Sequence, residues 1–212
     1  MSILFPVLLF VIFIGCVATL YTEGMWGNAI RLINVVTAAL LATNYWEPLA
    51  TRLDNWNHSY TYYWDFLALW GLFAVFMVIF RVATDFASRV KVRFLKIADQ
   101  IGGGLFAAWI GWVMVCFATM TLHTAPLAKN FMWGGFQPEQ RMFMGLAPDR
   151  KWLGFMQKVS RGAFCRSATP AEWEQEKYVF DPRAQFMPKY ATRRANLEAH
   201  IAGSGGASRV NP

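Results

Sequence analysis

Residues 81–111 read RVATDFASRVKVRFLKIADQIGGGLFAAWIG. Five bases (Arg81, Arg89, Lys91, Arg93 and Lys96) lead into Asp99, three consecutive glycines and a long apolar run. Bases massed beside an apolar span mark the cytoplasmic face of a membrane protein. Glycines just inside such a span let a second helix come close. The stretch therefore predicts a chain embedded in a membrane, with a tight helix contact near Gly103.

Working outward, the composition agrees. Of 212 residues, 56% are apolar and only 16% charged, and there are 18 Phe and 10 Trp. Four windows have the roughly 20 apolar residues that cross a bilayer: 3–21, 25–43, 64–83 and 101–123. The first has no basic leading region and stays apolar too long for a signal peptide, so it reads as a first span. The expected architecture is an all-α integral membrane protein of four transmembrane helices. It divides into a four-helix domain, 1–125, and a basic, aromatic-rich C-terminal extension, 126–212, with short extramembrane helices.

The connections carry their own signals. Residues 44–63 are crowded with Tyr and Trp, whose rings settle at headgroup level, and predict a loop lying on the surface. Residues 84–100 place Phe86, Val90, Phe94, Ile97 and Ile101 on one stripe and Asp85, Arg89, Arg93 and Lys96 on another. That pattern predicts an amphipathic interfacial helix before the fourth span, with Arg89, Arg93 and Lys96 toward lipid phosphates. In the extension, Pro148 opens a predicted helix with Trp152, Phe155, Met156, Val159 and Ala163 along one side, an interfacial helix or a lid on the bundle.

At this point residues 1–123 resemble the colicin V production protein family of bacterial inner-membrane proteins. The resemblance rests on Asp99-Gln100-Ile101-Gly102-Gly103, followed by small residues at every fourth position (Gly103, Ala107, Gly111). Gly24 after the first span and Glu47-Pro48-Leu49-Ala50 after the second extend it. The chain departs from the family pattern where Glu23, Gly27 and Asn28 stand in place of bases, and where Ile110 precedes Gly111. The resemblance implies four spans and an accessory or scaffold role in envelope homeostasis or in toxin production and export. It brings no agreed reaction. The alternative is a subunit of a small oligomeric channel or transporter.

Residue chemistry points the same way. Gly103, Gly104, Ala107 and Gly111 form a small-residue ridge for packing against another span of the chain or a second copy. Arg31 and Asn34 are polar within the second span. Arg31 either snorkels to the headgroups or meets Asp99 or Asp65, and Asn34 bonds to another helix. Asp65 suits the positive end of a helix dipole. His58, His123 and His200 sit in separate segments with no metal-ligand spacing, and no nucleophile or phosphate-loop motif occurs. No catalytic residue, cofactor or metal is expected, so the protein is read as a non-enzyme. Cys16, Cys116 and Cys165 form no Cys-x-x-Cys pair.

The net charge of +7 falls mostly on residues 124–212, which hold 13 bases against 7 acids. Anionic headgroups of the bilayer are the expected partner, with a second copy or another membrane protein beside them, and not nucleic acid. Five bases in 81–96 against one, Arg52, in 44–63 place the former loop in the cytoplasm. Both termini then face the periplasm. An impermeant maleimide applied to spheroplasts should accordingly label Cys165; labelling only after lysis would reverse the orientation.

Overall fold

The computed structural model describes residues 3–88, 95–127, 136, 141–143, 145–167, 169–172 and 175–207. Among these no residue is in a strand. Six α-helices follow in order: α1 (Leu4–Leu20), α2 (Gly24–Trp56), α3 (Thr61–Ala87), α4 (Lys96–Thr124), α5 (Pro148–Ser160) and α6 (Phe186–Ala207). Three helical stretches are long and apolar enough to cross a membrane: Leu4–Trp56, His58–Ala87 and Lys96–Thr124. The first holds both α1 and α2, joined by the 3-10 turn Tyr21–Glu23.

Side-chain contacts set the helix directions. A Cβ on Gly104 would meet Tyr21, and one on Gly111 would meet Phe13, so α4 runs antiparallel to α1. A Cβ on Gly103 would meet Gly24, and Thr43 near the far end of α2 is reached through Trp152 from Phe117 of α4. Hence α4 runs parallel to α2. Asn34 donates to Thr84, which places α3 antiparallel to α2. Although only three residues join α1 to α2, α1 packs mainly on α4 and α2 packs on α3 and α4. The small residues of α4 explain this, because they admit the bulk of α1 at close range.

Two connections differ from the sequence-based expectation. Residues 44–56 are not a surface loop: α2 continues through them to Trp56, with Pro48 inside the helix. Proline forfeits one backbone hydrogen bond there, and on one face Asn44, Trp46 and Glu47 contact the extension while Tyr45 and Pro48 stay exposed. The amphipathic helix expected over 84–100 does not form as one element. Its first four residues end α3, its last five begin α4, and Ser88 and Leu95 are non-helical. Leu95 is extended (ψ 134°), which breaks the helical repeat that the two stripes require. Arg89 and Arg93 lie outside the described residues, whereas Lys96 is the exposed first residue of α4.

The extension does not stand apart from the bundle. One core joins Ala38, Ala39 and Ala42 of α2, Leu69 and Phe73 of α3, and Phe117 and Met120 of α4 to Trp152 and Met156 of α5 and Tyr190 of α6. Trp152 meets Phe117 edge-on at 5.7 Å and donates from its indole N–H to Thr43 at 3.2 Å. Of the side chains expected to line α5, Trp152 and Met156 are buried while Phe155 stays exposed. A second cluster holds Phe5 and Leu9 of α1 against Val115, Phe136 and Met142. In contrast, Phe10 and Val11 of α1, Val75, Val78 and Val82 of α3, and Leu105 and Trp109 of α4 are exposed, and form the outer apolar surface. Removing a buried Trp costs about 3–5 kcal/mol, so Trp152→Ala should lower the melting temperature in detergent and expose the extension to protease. Unchanged protease resistance would show that α5 is not held through this side chain.

Candidate functional site

The ionisable and amide side chains within the apolar helices gather at three places. The first is the joint of α1, α2 and α4. Gly24 has φ +80°, a left-handed conformation that favours glycine, and this turns the chain from α1 into α2. The turn leaves the first N–H groups of α2 without helical partners. The Asp99 carboxylate, in the first turn of α4, accepts from the Met25 N–H at 2.8 Å and so caps α2 from another helix. A carboxylate there also faces the positive end of the α2 dipole. Asn28, fully buried, donates to the Leu20 carbonyl at 2.8 Å and the Gly103 carbonyl at 3.0 Å. One amide thus ties the end of α1 to α4 from within α2.

Glycine is required by close approach at this joint. A Cβ on Gly24 would lie 2.9 Å from an Asp99 oxygen, and one on Gly103 would lie 3.1 Å from the Gly24 carbonyl carbon. One on Gly111 would lie 3.0 Å from Phe13. Ala107 is wholly buried, and Gly104 faces Tyr21 at an ordinary 3.6 Å. The small-residue ridge of α4 therefore packs within the chain, on α1, the Tyr21–Glu23 turn and the start of α2.

The second place is a groove on the same end of the bundle, over α2 and between α1 and α3. Arg31 pairs with Glu23 at 2.8 Å, so its partner is neither Asp99 nor Asp65. Asn34 donates to the Thr84 hydroxyl at 3.0 Å, and Thr84 in turn donates back to the Phe80 carbonyl. These two polar residues of α2 and the exposed pair Arg81–Asp85 of α3 line one cavity of about 520 Å³.

The third place is the seat of the extension at the opposite end. Asp65 accepts from the Tyr190 hydroxyl at 3.0 Å and from Arg193, which also donates to the Thr61 carbonyl. Burial first, and then the adjacent Asp65 carboxylate, push the Tyr190 phenol up from its ordinary value, so it stays protonated and donates. Glu47 takes Lys189 at 2.9 Å and Arg166 at 3.5 Å. His123 and Asp149, both wholly buried, meet at 3.0 Å between the last turn of α4 and the first turn of α5. Their remaining atoms, Nδ1 and Oδ1, have no hydrogen-bond partner among the described residues.

Sequence reasoning singled out Arg31, Asn34 and Asp99 but missed Asn28, Glu23 as the partner of Arg31, and the pairing of Asp65 and His123 with the extension. The available signal was an ionisable residue at the edge of an apolar run, which in a membrane demands a partner. Among the described residues no three His, Cys, Asp or Glu side chains are placed to hold a metal ion.

The family model for colicin V production protein matches residues 5–135, which covers α1–α4 and with them the joint and the groove. The chain belongs to that family. No curated protein and no solved structure matches it. Its apolar helices and its membership of the colicin V production family together make it a membrane protein. The match ends at residue 135, ahead of α5 and α6, so the family portion supplies the joint and the groove while the extension supplies half of the third site.

The joint makes unequal demands on neighbouring glycines. Gly24→Val and Gly103→Val should abolish the folded monomer in detergent, since Gly24 combines φ +80° with the Asp99 carboxylate beside it and Gly103 lies against the Gly24 backbone. Gly15→Ala and Gly71→Ala meet nothing within 4 Å and should melt within a few degrees of the parent, whereas Gly102→Ala meets Met25 from its sulfur back to its Cβ and should fall between the two groups. Asp99→Ala should cost about 1–2 kcal/mol, the loss of a helix cap, read as a lower melting temperature; an unchanged melt would remove the cap from the account.

Proposed function

We propose that this protein is a non-enzymatic accessory or scaffold factor of the bacterial inner membrane, serving envelope homeostasis or toxin production and export. In this reading α1–α4 are four spans, the basic stretch 81–96 lies at the cytoplasmic face against anionic headgroups, and α5 and α6 form a periplasmic roof. One observation carries it: four polar side chains within the apolar helices each bond to another helix, the α1–α2 turn or the extension. Asn28 bonds two backbone carbonyls, Asn34 bonds Thr84, Asp99 caps α2, and Asp65 takes Tyr190 and Arg193. Groups committed in this way hold helices in register, which is what a docking platform for other membrane proteins or a second copy needs.

The competing reading is a subunit of an oligomeric channel or transporter. It is favoured by the groove lined by Arg31 and Asn34, which would face a shared path if copies assembled around it. Purified protein in vesicles separates the two. The scaffold reading expects no ion flux above empty vesicles across membrane potentials and pH. Flux that Arg31→Gln or Asn34→Leu abolishes, with the protein still folded, would overturn it in favour of a conduit.

A further inference from the structure

The groove between α1 and α3, which the conduit reading takes as part of a path, is lined in a graded way that a water-filled path does not require. Its charged lining lies toward the helix ends: Glu23, Arg31, Arg81 and Asp85. Its deeper lining carries no charge: Val35, Met77 and Ile110 are apolar, and the amide of Asn34 is bonded to the Thr84 hydroxyl. Arg31 stands about 10 Å along α2 from Gly24 at 1.5 Å per residue, and Val35 about 16 Å. The cavity therefore grades from charged near the helix ends to uncharged and mostly apolar farther along the helices. Its volume of about 520 Å³ lies within the ~300–1,000 Å³ common for small-molecule sites.

The charges also balance. Two bases and two acids line the mouth, one pair at 2.8 Å and the other at 3.9 Å. The Arg81–Asp85 pair is mostly exposed, with side chains 71% and 76% accessible, so little is lost when it opens. A ligand that is only anionic would meet both carboxylates as well as both guanidinium groups. A ligand with one anion and one N–H-bearing cation satisfies all four. Arg suits a phosphate because its planar fork donates two parallel hydrogen bonds, and carboxylates suit a primary ammonium for the same reason of charge-assisted donation. Trp26, which donates to Ser88 at 3.2 Å, fixes one wall of the mouth between α2 and the end of α3.

We propose that this groove binds a zwitterionic phospholipid of the surrounding leaflet that carries a primary ammonium, the phosphoethanolamine headgroup type. Its phosphate lies on Arg31 and Arg81, its ammonium on Glu23 or Asp85, and one acyl chain runs inward past Met77 and Ile110. The lipid fills the gap that α1 leaves by packing on α4, and so completes the bundle between α1 and α3. The site does not rest on the scaffold reading, although a lipid seated here closes the groove to the shared path of the conduit reading.

Photo-crosslinking tests it directly. The full chain is reconstituted with acyl-chain diazirine probes of phosphatidylethanolamine or phosphatidylglycerol, irradiated, and the labelled peptides are mapped by mass spectrometry. The ethanolamine probe should label peptides containing Met77 and Ile110 more strongly than the glycerol probe does. Arg31→Gln and Arg81→Gln should each lower that labelling about fivefold, the worth of about 1 kcal/mol at an interfacial charge. Arg81 is exposed, so its variant decides the matter if Arg31→Gln fails to fold. Equal or stronger labelling by the glycerol probe, labelling that Arg81→Gln leaves unchanged, or labelling confined to the outer apolar surface would each overturn the proposal.

Discussion

The fold depends on how the first turn of α2 is satisfied. Gly24 reverses the chain and in doing so leaves backbone donors pointing into the protein, where lipid offers nothing to accept them. The Asp99 carboxylate meets the Met25 N–H, and that one contact fixes both the depth and the azimuth of α4. With α4 so placed, Gly103 lies against Gly24, Asn28 reaches the Gly103 carbonyl, and Gly111 receives Phe13. A longer acid at residue 99 would push α4 away, and any side chain at residue 24 would displace the carboxylate. The acid and the glycine are thus two halves of one constraint.

From that joint the remaining architecture follows by exclusion. The place beside α2 that α1 would take in a simple hairpin is held by α4, so α1 lies on the outer side of α4 and a groove opens between α1 and α3. At the other end α2 overruns its apolar window by three turns, carrying Asn44, Trp46 and Glu47 up among the residues of α5 and α6. Asn44 donates to the Phe164 carbonyl and accepts from Arg166, which ties the overrun to the chain beyond α5. The extension supplies core as well as cover: Tyr190 is packed between Trp46 and Phe186 and reaches Asp65 with its hydroxyl.

Much of this was legible in the sequence because it was written in local, repeated signals. Apolar length placed the helical stretches, and the spacing of Gly103, Ala107 and Gly111 marked a close-packing ridge. The Asp99-Gly103 motif pointed to the family. What escaped was long-range or lacked a period. Asn28 stood out only as a departure from the family's bases, although its amide joins three helices, because nothing local tells which carbonyls will surround it. The resemblance implied a short helical loop at Glu47-Pro48-Leu49-Ala50, but the unbroken run of α2 through residues 44–56 was hidden by Pro48 and by aromatics that suit an interface as well as a helix end. The break at Ser88 and Leu95 was hidden for the opposite reason, since a regular stripe of Phe and Ile implied continuity. His123 and Asp65 were visible as ionisable residues at span edges, but their partners, Asp149 and Arg193, come from helices 26 and 128 positions away.

The placement of α1 has a consequence for biosynthesis. Its principal packing surface belongs to a helix translated almost a hundred residues later. At ~5–20 residues per second of synthesis, α1 waits on the order of ten seconds with no permanent neighbour. The free end of that wait is tolerable because residues 4–20 contain no charged side chain, so the helix is stable alone in hydrocarbon. The delay falls instead on α2, whose buried Asn28 and uncapped first turn must find temporary partners. Assembly of the bundle is therefore gated by the arrival of Asp99, and a chain stalled before α4 would present its amide to whatever insertion factor or neighbour is at hand.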